Sequence, residues 1–337
     1  MAITLQKPQY VYFDGKICLW EDAVFHISSE AVLRGLNVFE GLKGYWQPDG
    51  RFGIVAMRRH YDRLVRSAKI LHMPFTMSFE EFEAATHELL QLLHQPDKNM
   101  WIRATLYGEE GHWGENCTSN LVLTAYQTPL TRQAPIATGV TAWQRAGDLA
   151  LPCRVKTSTN YQVARLVKIE GRDRGYSEMI LLNGAGRVAE GLGGCIIMVR
   201  DGAVITPPAW EGALESITVD IVQSLCQSMG IPFERRPVDR TELMIADEIG
   251  FVGTLHEITP VCSLDGQTLG EATIINSIAE RYIQAACGIN PHPAVDLALM
   301  TMPIDRNQSH NLSEAGKSLH AIGQNHGQPR SGQRKSA

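Results

Sequence analysis

Residues 179–205 read MILLNGAGRVAEGLGGCIIMVRDGAVI. Met179–Leu182 and Arg187–Ala189 are strand-like runs flanking a turn that contains Asn183-Gly184, and Cys195–Ile205 is a second hairpin around Asp201-Gly202. Between them, Glu190-Gly191-Leu192-Gly193-Gly194 must turn tightly, which sets an acidic side chain beside bare backbone. Taken alone, this turn suits a plain connection with a solvent-facing Glu190 as well as it suits a functional carboxylate.

Strand and helix signals continue on both sides. Upstream, Val140–Trp143 predicts a strand and Asn160–Arg174 a helix; downstream come a helix at Ile217–Met229, a strand at Glu248–Val252 and a helix at Ala272–Ala286. Nearer the N-terminus, residues 9–20 (QYVYFDGKICLW) predict a hairpin at Asp14-Gly15. Met57, Tyr61, Leu64, Ala68 and Leu71 recur at the spacing of one helix face, and Ser78 followed by acidic residues opens a helix over Phe79–His94. Trp101–Tyr107 and Leu121–Tyr126 read as strands. The stretch Gln127–Thr138, with Pro129 and Pro135, is the best linker. The expected fold is mixed α/β in two lobes, with an N-terminal domain at 1–128, a linker at 129–138 and a larger domain at 139–304. A polar tail, 305–337, is expected to be disordered.

The chain has 337 residues, with 31 basic against 36 acidic side chains, a net charge of −5 that excludes a strongly basic nucleic-acid binder. At 44% apolar and 20% charged it can bury a large core. No run approaches the length of a membrane span and no secretory signal is visible, so a cytoplasmic location is expected. Seven scattered cysteines without a CxxC pair read as reduced thiols and argue against a structural zinc site, and no metal is expected.

Chemistry can be placed at a few points. Lys156, beside Arg154 and just before a predicted helix, could form a Schiff base if its amine were deprotonated, although a surface lysine is the commoner outcome. Ser216-Ile217-Thr218 opens a helix, where free N–H groups suit an anion; an ordinary N-cap explains Ser216 equally. Arg63 lies among Arg58, Arg59, Arg66 and Lys69, and spacing cannot single it out. Neither G-x-G-x-x-G nor G-x-x-x-x-G-K-[ST] occurs, which disfavours ordinary dinucleotide and P-loop chemistry.

Read in order, these segments resemble the class IV aminotransferases, the fold-type IV pyridoxal-phosphate enzymes, and above all branched-chain amino-acid aminotransferases. The matching pieces are Val38-Phe39-Glu40-Gly41, His60 to Lys69, Lys156 with Asn160-Tyr161, Glu190-Gly191, Thr206-Pro207-Pro208, Ile217-Thr218, Ala246-Asp247-Glu248, and Gly253-Thr254 with Glu257-Ile258-Thr259-Pro260-Val261. The resemblance implies a small N-terminal α/β domain and a larger C-terminal pseudo-barrel domain. Pyridoxal 5'-phosphate would lie between them, and the protein would be a homodimer or higher homo-oligomer. It also implies roles: Lys156 as the internal aldimine and proton carrier, Glu190 opposite the pyridine nitrogen, and Tyr161 at the ring hydroxyl. Arg63, Ile217, Thr218 and Thr254 would hold the phosphate. Phe39, Arg34, Arg103, Thr254 and Leu255 would contact the substrates, an amino acid and a 2-oxo acid, with part of the wall coming from the other subunit.

The sequence departs from the resemblance in places. Arg34 stands where a pocket tyrosine is usual, Cys195 where an asparagine is usual, and Glu215-Ser216 where Pro-Gly is usual before Ile-Thr. Two guanidinium groups near one pocket, Arg34 and Arg103, would favour a substrate with an extra carboxylate, whereas an Arg34 held in an internal ion pair would not. Alternative readings are a D-amino-acid aminotransferase, a lyase of the aminodeoxychorismate type, and a non-catalytic binding protein on the same scaffold.

Overall fold

The Asp14-Gly15 turn forms as the sequence predicts: both residues have positive φ, 51° and 74°, and the strands β1 (Tyr10–Phe13) and β2 (Lys16–Leu19) pair with Tyr10 opposite Leu19. The structure, a computed structural model, describes residues 6–303 apart from 97 and 131–133. The tail expected at 305–337 therefore lies outside the described residues.

After this hairpin come α1 (Glu30–Leu33), β3 (Asn37–Trp46), β4 (Phe52–Val55), α2 (Met57–Ile70), α3 (Phe79–Leu93), β5 (Asn99–Gly108) and β6 (Ser119–Thr128). At the start of α3 the Ser78 and Glu81 side chains cap each other's backbone N–H groups in a capping box. α2 turns its stripe of Met57, Leu64 and Ala68 toward β3, in one core with Leu42 of β3, Ile54 of β4 and Met100 and Ile102 of β5. Each of the Leu, Ile and Met side chains, fully buried, contributes on the order of 1.5–3 kcal/mol.

The second lobe, which precedes a last strand β16 (Leu297–Met300), comprises β7 (Ile136–Gln144), α4 (Gln162–Asp173), β8 (Glu178–Leu182), β9 (Val188–Gly191), β10 (Cys195–Arg200), β11 (Ala203–Thr206), α5 (Ile217–Ser228), β12 (Phe233–Arg235), α6 (Arg240–Leu243), β13 (Glu248–Gly253), β14 (Glu257–Leu264), β15 (Gln267–Thr268) and α7 (Thr273–Ala286). Its strands run in the order β12-β11-β10-β13-β14-β7-β8-β9, with β15 attached to β14. Only residues 192–194 separate β9 from β10, yet five strand spacings lie between them along the sheet. Five spacings span about 24 Å in a flat sheet, while four Cα steps reach at most about 15 Å, so the sheet has to curl into a half-barrel. Side chains alternate accordingly. Ile196 and Met198 fill the inside with Ile180, Val188, Ile249 and Phe251, whereas Ile197 and Val199 face α5 and α7.

Several features differ from the sequence reading, which also did not anticipate α1, β4, α6, β12 and β15. β3 and β14 were not anticipated as strands, because Glu40 and Lys43 in one and Pro260 in the other speak against a buried strand. β7 begins at Ile136, inside the expected linker. β16 returns from the far end of the chain to pair with β4, which makes the N-terminal sheet seven-stranded: β16-β4-β3-β5-β6-β1-β2.

Candidate active site

Lys156 lies on the seam between the two lobes. Its backbone carbonyl accepts the Phe39 N–H of β3 at 2.8 Å, and its N–H donates to Ser67 Oγ of α2 at 3.3 Å. The loop before it is tied by Asn160, whose buried amide donates to the Pro152 and Val155 carbonyls at 3.1 and 3.0 Å. So fixed, the Lys156 side chain enters a cavity of about 370 Å³ and donates from Nζ to the Tyr161 hydroxyl at 2.9 Å. The Phe39 ring lies 5.0 Å from the same amine and 5.2 Å from the Tyr161 ring. Arg63, Arg103, Glu190, Ile217, Thr218, Thr254 and Leu255 also line this cavity.

Glu190 reaches the cavity from the end of β9. Its Oε1 is 2.8 Å from Arg145 Nε, and its Oε2 accepts the Leu214 N–H at 2.9 Å. The next residue has to be glycine, because a Cβ on Gly191 would come within 2.6 Å of the Phe251 ring. Arg145 carries no motif in the sequence, and the sequence reading passed over it.

Opposite lies an anion-receptive corner. Arg63 is buried and gripped on both forks by Glu40, Nε to Oε1 at 2.6 Å and Nη2 to Oε2 at 2.8 Å, while Nη1 donates to the Glu215 carbonyl at 2.7 Å. A guanidinium has five N–H donors, so two have no partner among the described residues. His60 Nδ1 lies 2.7 Å from Glu40 Oε2. Burial works against the Glu40 anion, but the Arg63 charge outweighs it and holds this carboxyl well below the ordinary carboxylate range. Burial also pushes His60 below its usual value, against the pull of Glu40. At the start of α5, Ser216 Oγ accepts the Val219 N–H at 3.2 Å, which leaves the Ile217 and Thr218 amides to the cavity. Cys195 packs behind this corner; burial, reinforced by Glu190, pushes its thiol up to about 12, so it stays a neutral wall.

A second wall is formed by Phe39, Gly41, Trp101 and Arg103. The Trp101 indole packs so closely on Gly41 that a Cβ there would lie 2.9 Å from Nε1. Arg103 lies 4.4 Å over the Phe39 ring, and no carboxylate is paired with it among the described residues. Its guanidinium is half-buried, a setting in which a cation favours an anionic partner. The third wall is the β13–β14 turn, Thr254 to His256. His256 Nε2 lies 3.3 Å from Glu178, and Glu178 also accepts the Leu192 N–H at 2.9 Å, which joins this turn to the glycine turn after Glu190.

Arg34 is not among the residues lining the cavity. It caps the end of α1, where its guanidinium pairs with Glu30 one turn back and lies 4.9 Å over the Trp113 ring. The expectation of two guanidinium groups in one pocket thus reduces, within one protomer, to Arg103 alone. Among the described residues no group of three or more His, Cys, Asp or Glu is arranged to hold a metal ion, and no helix is long and apolar enough to cross a membrane.

The donor set fits pyridoxal 5'-phosphate. A phosphate would find the two free Arg63 N–H groups and the first-turn amides of α5, a ring nitrogen would find Glu190, and an aldehyde would find Lys156. Chain comparisons agree. A family model described as class IV amino-transferase matches residues 37–264. The branched-chain-amino-acid aminotransferase of Salmonella typhimurium is 33% identical over 298 residues, 85% of this chain and 94% of that one. Among solved structures, the branched-chain aminotransferase of Thermoproteus uzoniensis with norvaline superposes with a TM-score of 0.80 at 31% identity, covering 86% of this chain and 99% of its own. The branched-chain amino acid aminotransferase of Thermobaculum terrenum in its PLP form gives 0.79 at 30% identity, covering 86% and 98%.

Proposed function

The chain belongs to the class IV aminotransferases, and on that premise we propose that it transfers the amino group of a branched-chain L-amino acid to a 2-oxo acid. It is a pyridoxal 5'-phosphate enzyme. When bound, this cofactor supplies an aldehyde that condenses with amino groups and a ring that takes up the electrons released at the substrate's α-carbon. The observation that carries the reading is the convergence of Lys156, Tyr161, Glu190, Arg63 and the α5 amides on one cavity.

In this reading the Lys156 amine takes the proton from one carbon and returns it to another, and its contact with the Tyr161 hydroxyl at 2.9 Å orients it between those positions. Glu190 receives a protonated ring nitrogen as its counter-ion. Arg63 and the α5 amides anchor the phosphate without reorganising, since Glu40 already fixes the guanidinium. The walls of Phe39, Trp101 and Leu255 suit an aliphatic side chain, and Arg103 extends the range to donors with a second carboxylate, as glutamate has.

A homodimer in the cytoplasm completes the reading. Val24, Phe25, Ile27, Leu33 and Trp113 expose large apolar side chains around Arg34, beside a second cavity of about 1010 Å³, and a second copy of the chain is the proposed cover. The experiment is a half-reaction screen in which the holoenzyme is mixed with single L- and D-amino acids and conversion of the bound coenzyme to its amine form is followed. Conversion by L-leucine, L-valine and L-glutamate is expected. Conversion by D-amino acids alone, or pyruvate release without an acceptor, would favour the D-specific or lyase alternative, and no conversion by any of them the binding protein.

A further inference from the structure

Arg145 is not among the residues lining the cavity, yet it contacts Glu190, which is. Its side chain is buried, 9% exposed. Nε lies 2.8 Å from Glu190 Oε1 and donates to the Gly212 carbonyl at 3.2 Å, Nη1 donates to the Asn160 carbonyl at 2.9 Å, and its backbone N–H donates to the Leu182 carbonyl at 2.8 Å. The three side-chain contacts reach three separate pieces of the site. Glu190 is the ring-nitrogen carboxylate, and Asn160 precedes Tyr161 and holds the loop of Lys156 through the Val155 carbonyl. Gly212 begins the segment whose Leu214 N–H takes the other Glu190 oxygen and which leads into α5.

We infer that Arg145 is a positioning residue: it balances the charge of Glu190, aims its carboxylate into the cavity, and couples that carboxylate to the segment carrying Lys156 and Tyr161. The inference rests on the roles proposed above for Glu190 and Lys156. A carboxylate this enclosed is costly without a cation, and a cation in contact with it turns a bare anion into a directed acceptor. The planar fork of arginine reaches carboxylate and carbonyls at once, which the single ammonium of lysine cannot do in the same geometry. Glu190 thereby presents a fixed lone pair rather than a diffuse negative field. The charge sensed at the Lys156 nitrogen depends on both members of the pair.

The test reads the protonation of the bound chromophore at the Lys156 nitrogen, not turnover. The pH midpoint of the visible absorbance change is measured for the wild-type holoenzyme, Arg145→Gln, Arg145→Lys, Glu190→Gln and the Arg145→Gln/Glu190→Gln double variant, together with the Tm of each apoprotein. Losing a buried cation favours the protonated nitrogen, so Arg145→Gln is expected to raise the midpoint by about one pH unit. In the Glu190→Gln background the same change is expected to move it by less than about half as much, since the partner through which Arg145 acts is gone. Arg145→Lys is expected to lower Tm but keep the midpoint within about 0.3 unit of wild type. A purely structural arginine would move Tm alone.

An unmoved midpoint in Arg145→Gln, or an equal shift with and without Glu190, overturns the inference. Should Arg145→Gln fail to fold, the neutral double variant is compared with Glu190→Gln alone: midpoints within about half a pH unit of each other support the inference and a larger rise overturns it. A wild-type protein with no titrating band overturns the proposed function as well, whereas a normal wild-type band with an unmoved Arg145→Gln overturns this inference only.

Discussion

Glu40 holds Arg63 by two hydrogen bonds, 2.6 and 2.8 Å long, in a site where both side chains are almost fully excluded from solvent. The phosphate-binding arginine of the proposed mechanism is therefore fixed before any ligand arrives. Charge-assisted bidentate geometry of this kind stabilises the fold and preorganises the site together.

Removing the Glu40 charge tests both effects. Glu40→Gln leaves Arg63 buried without its counter-ion and is expected to cost about 3–5 kcal/mol in urea unfolding. The pH dependence follows from the direction of the Glu40 shift. Its folded value is depressed below the ordinary 4.5, so its stabilisation is fully present above that value and is lost as the pH falls below it. Between pH 5 and pH 3, wild type should therefore lose stability more steeply than Glu40→Gln. Parallel acid limbs would contradict this.

Arg103 and Arg34 make a matched comparison. Arg103 lines the cavity over the Phe39 ring with no carboxylate paired to it among the described residues, while Arg34 is engaged by Glu30 outside it. Arg103→Leu is expected to lower kcat/KM for glutamate relative to leucine by about 10-fold or more. Arg34→Tyr is expected to leave that ratio unchanged. The ratio moving with Arg34 instead would mean that its guanidinium reaches a substrate.

The exposed apolar side chains near α1 predict assembly. Val24 and Ile27 are 71% and 73% exposed, far more than lone surface residues need be in such a cluster. The wild-type protein is expected to sediment as the proposed dimer, and Val24→Asp/Ile27→Asp as a monomer, in sedimentation velocity. A wild-type protein that already sediments as a monomer would remove the basis for a second copy.

How much of this was legible in the sequence depends on the reach of each interaction. The β1–β2 turn, the α3 capping box and the α2 stripe are local, and their residues lie within one or two turns of one another. β3 was not legible, because Glu40 and Lys43 look like surface charges until their partners are known. Arg63 lies 23 residues away from Glu40, and Glu257, which accepts from Lys43 at 2.6 Å, lies 214 residues on. Arg145 gave no signal for the same reason: its role comes from the curl of the half-barrel, which brings β7, β9 and the Gly212 segment together. Arg34 is a different case: the resemblance suggested the substrate wall, and within one protomer its side chain takes the internal ion pair, with Glu30, that the sequence reading gave as the alternative.

The central claim is that the Lys156 amine carries the cofactor. The direct measurement is to load the protein with pyridoxal 5'-phosphate, reduce it with borohydride, digest it and map the modified peptide by mass spectrometry. A single stable phosphopyridoxyl adduct on Lys156, absent from Lys156→Ala, is the predicted result. An adduct on another lysine, or none on a folded protein, would contradict the account.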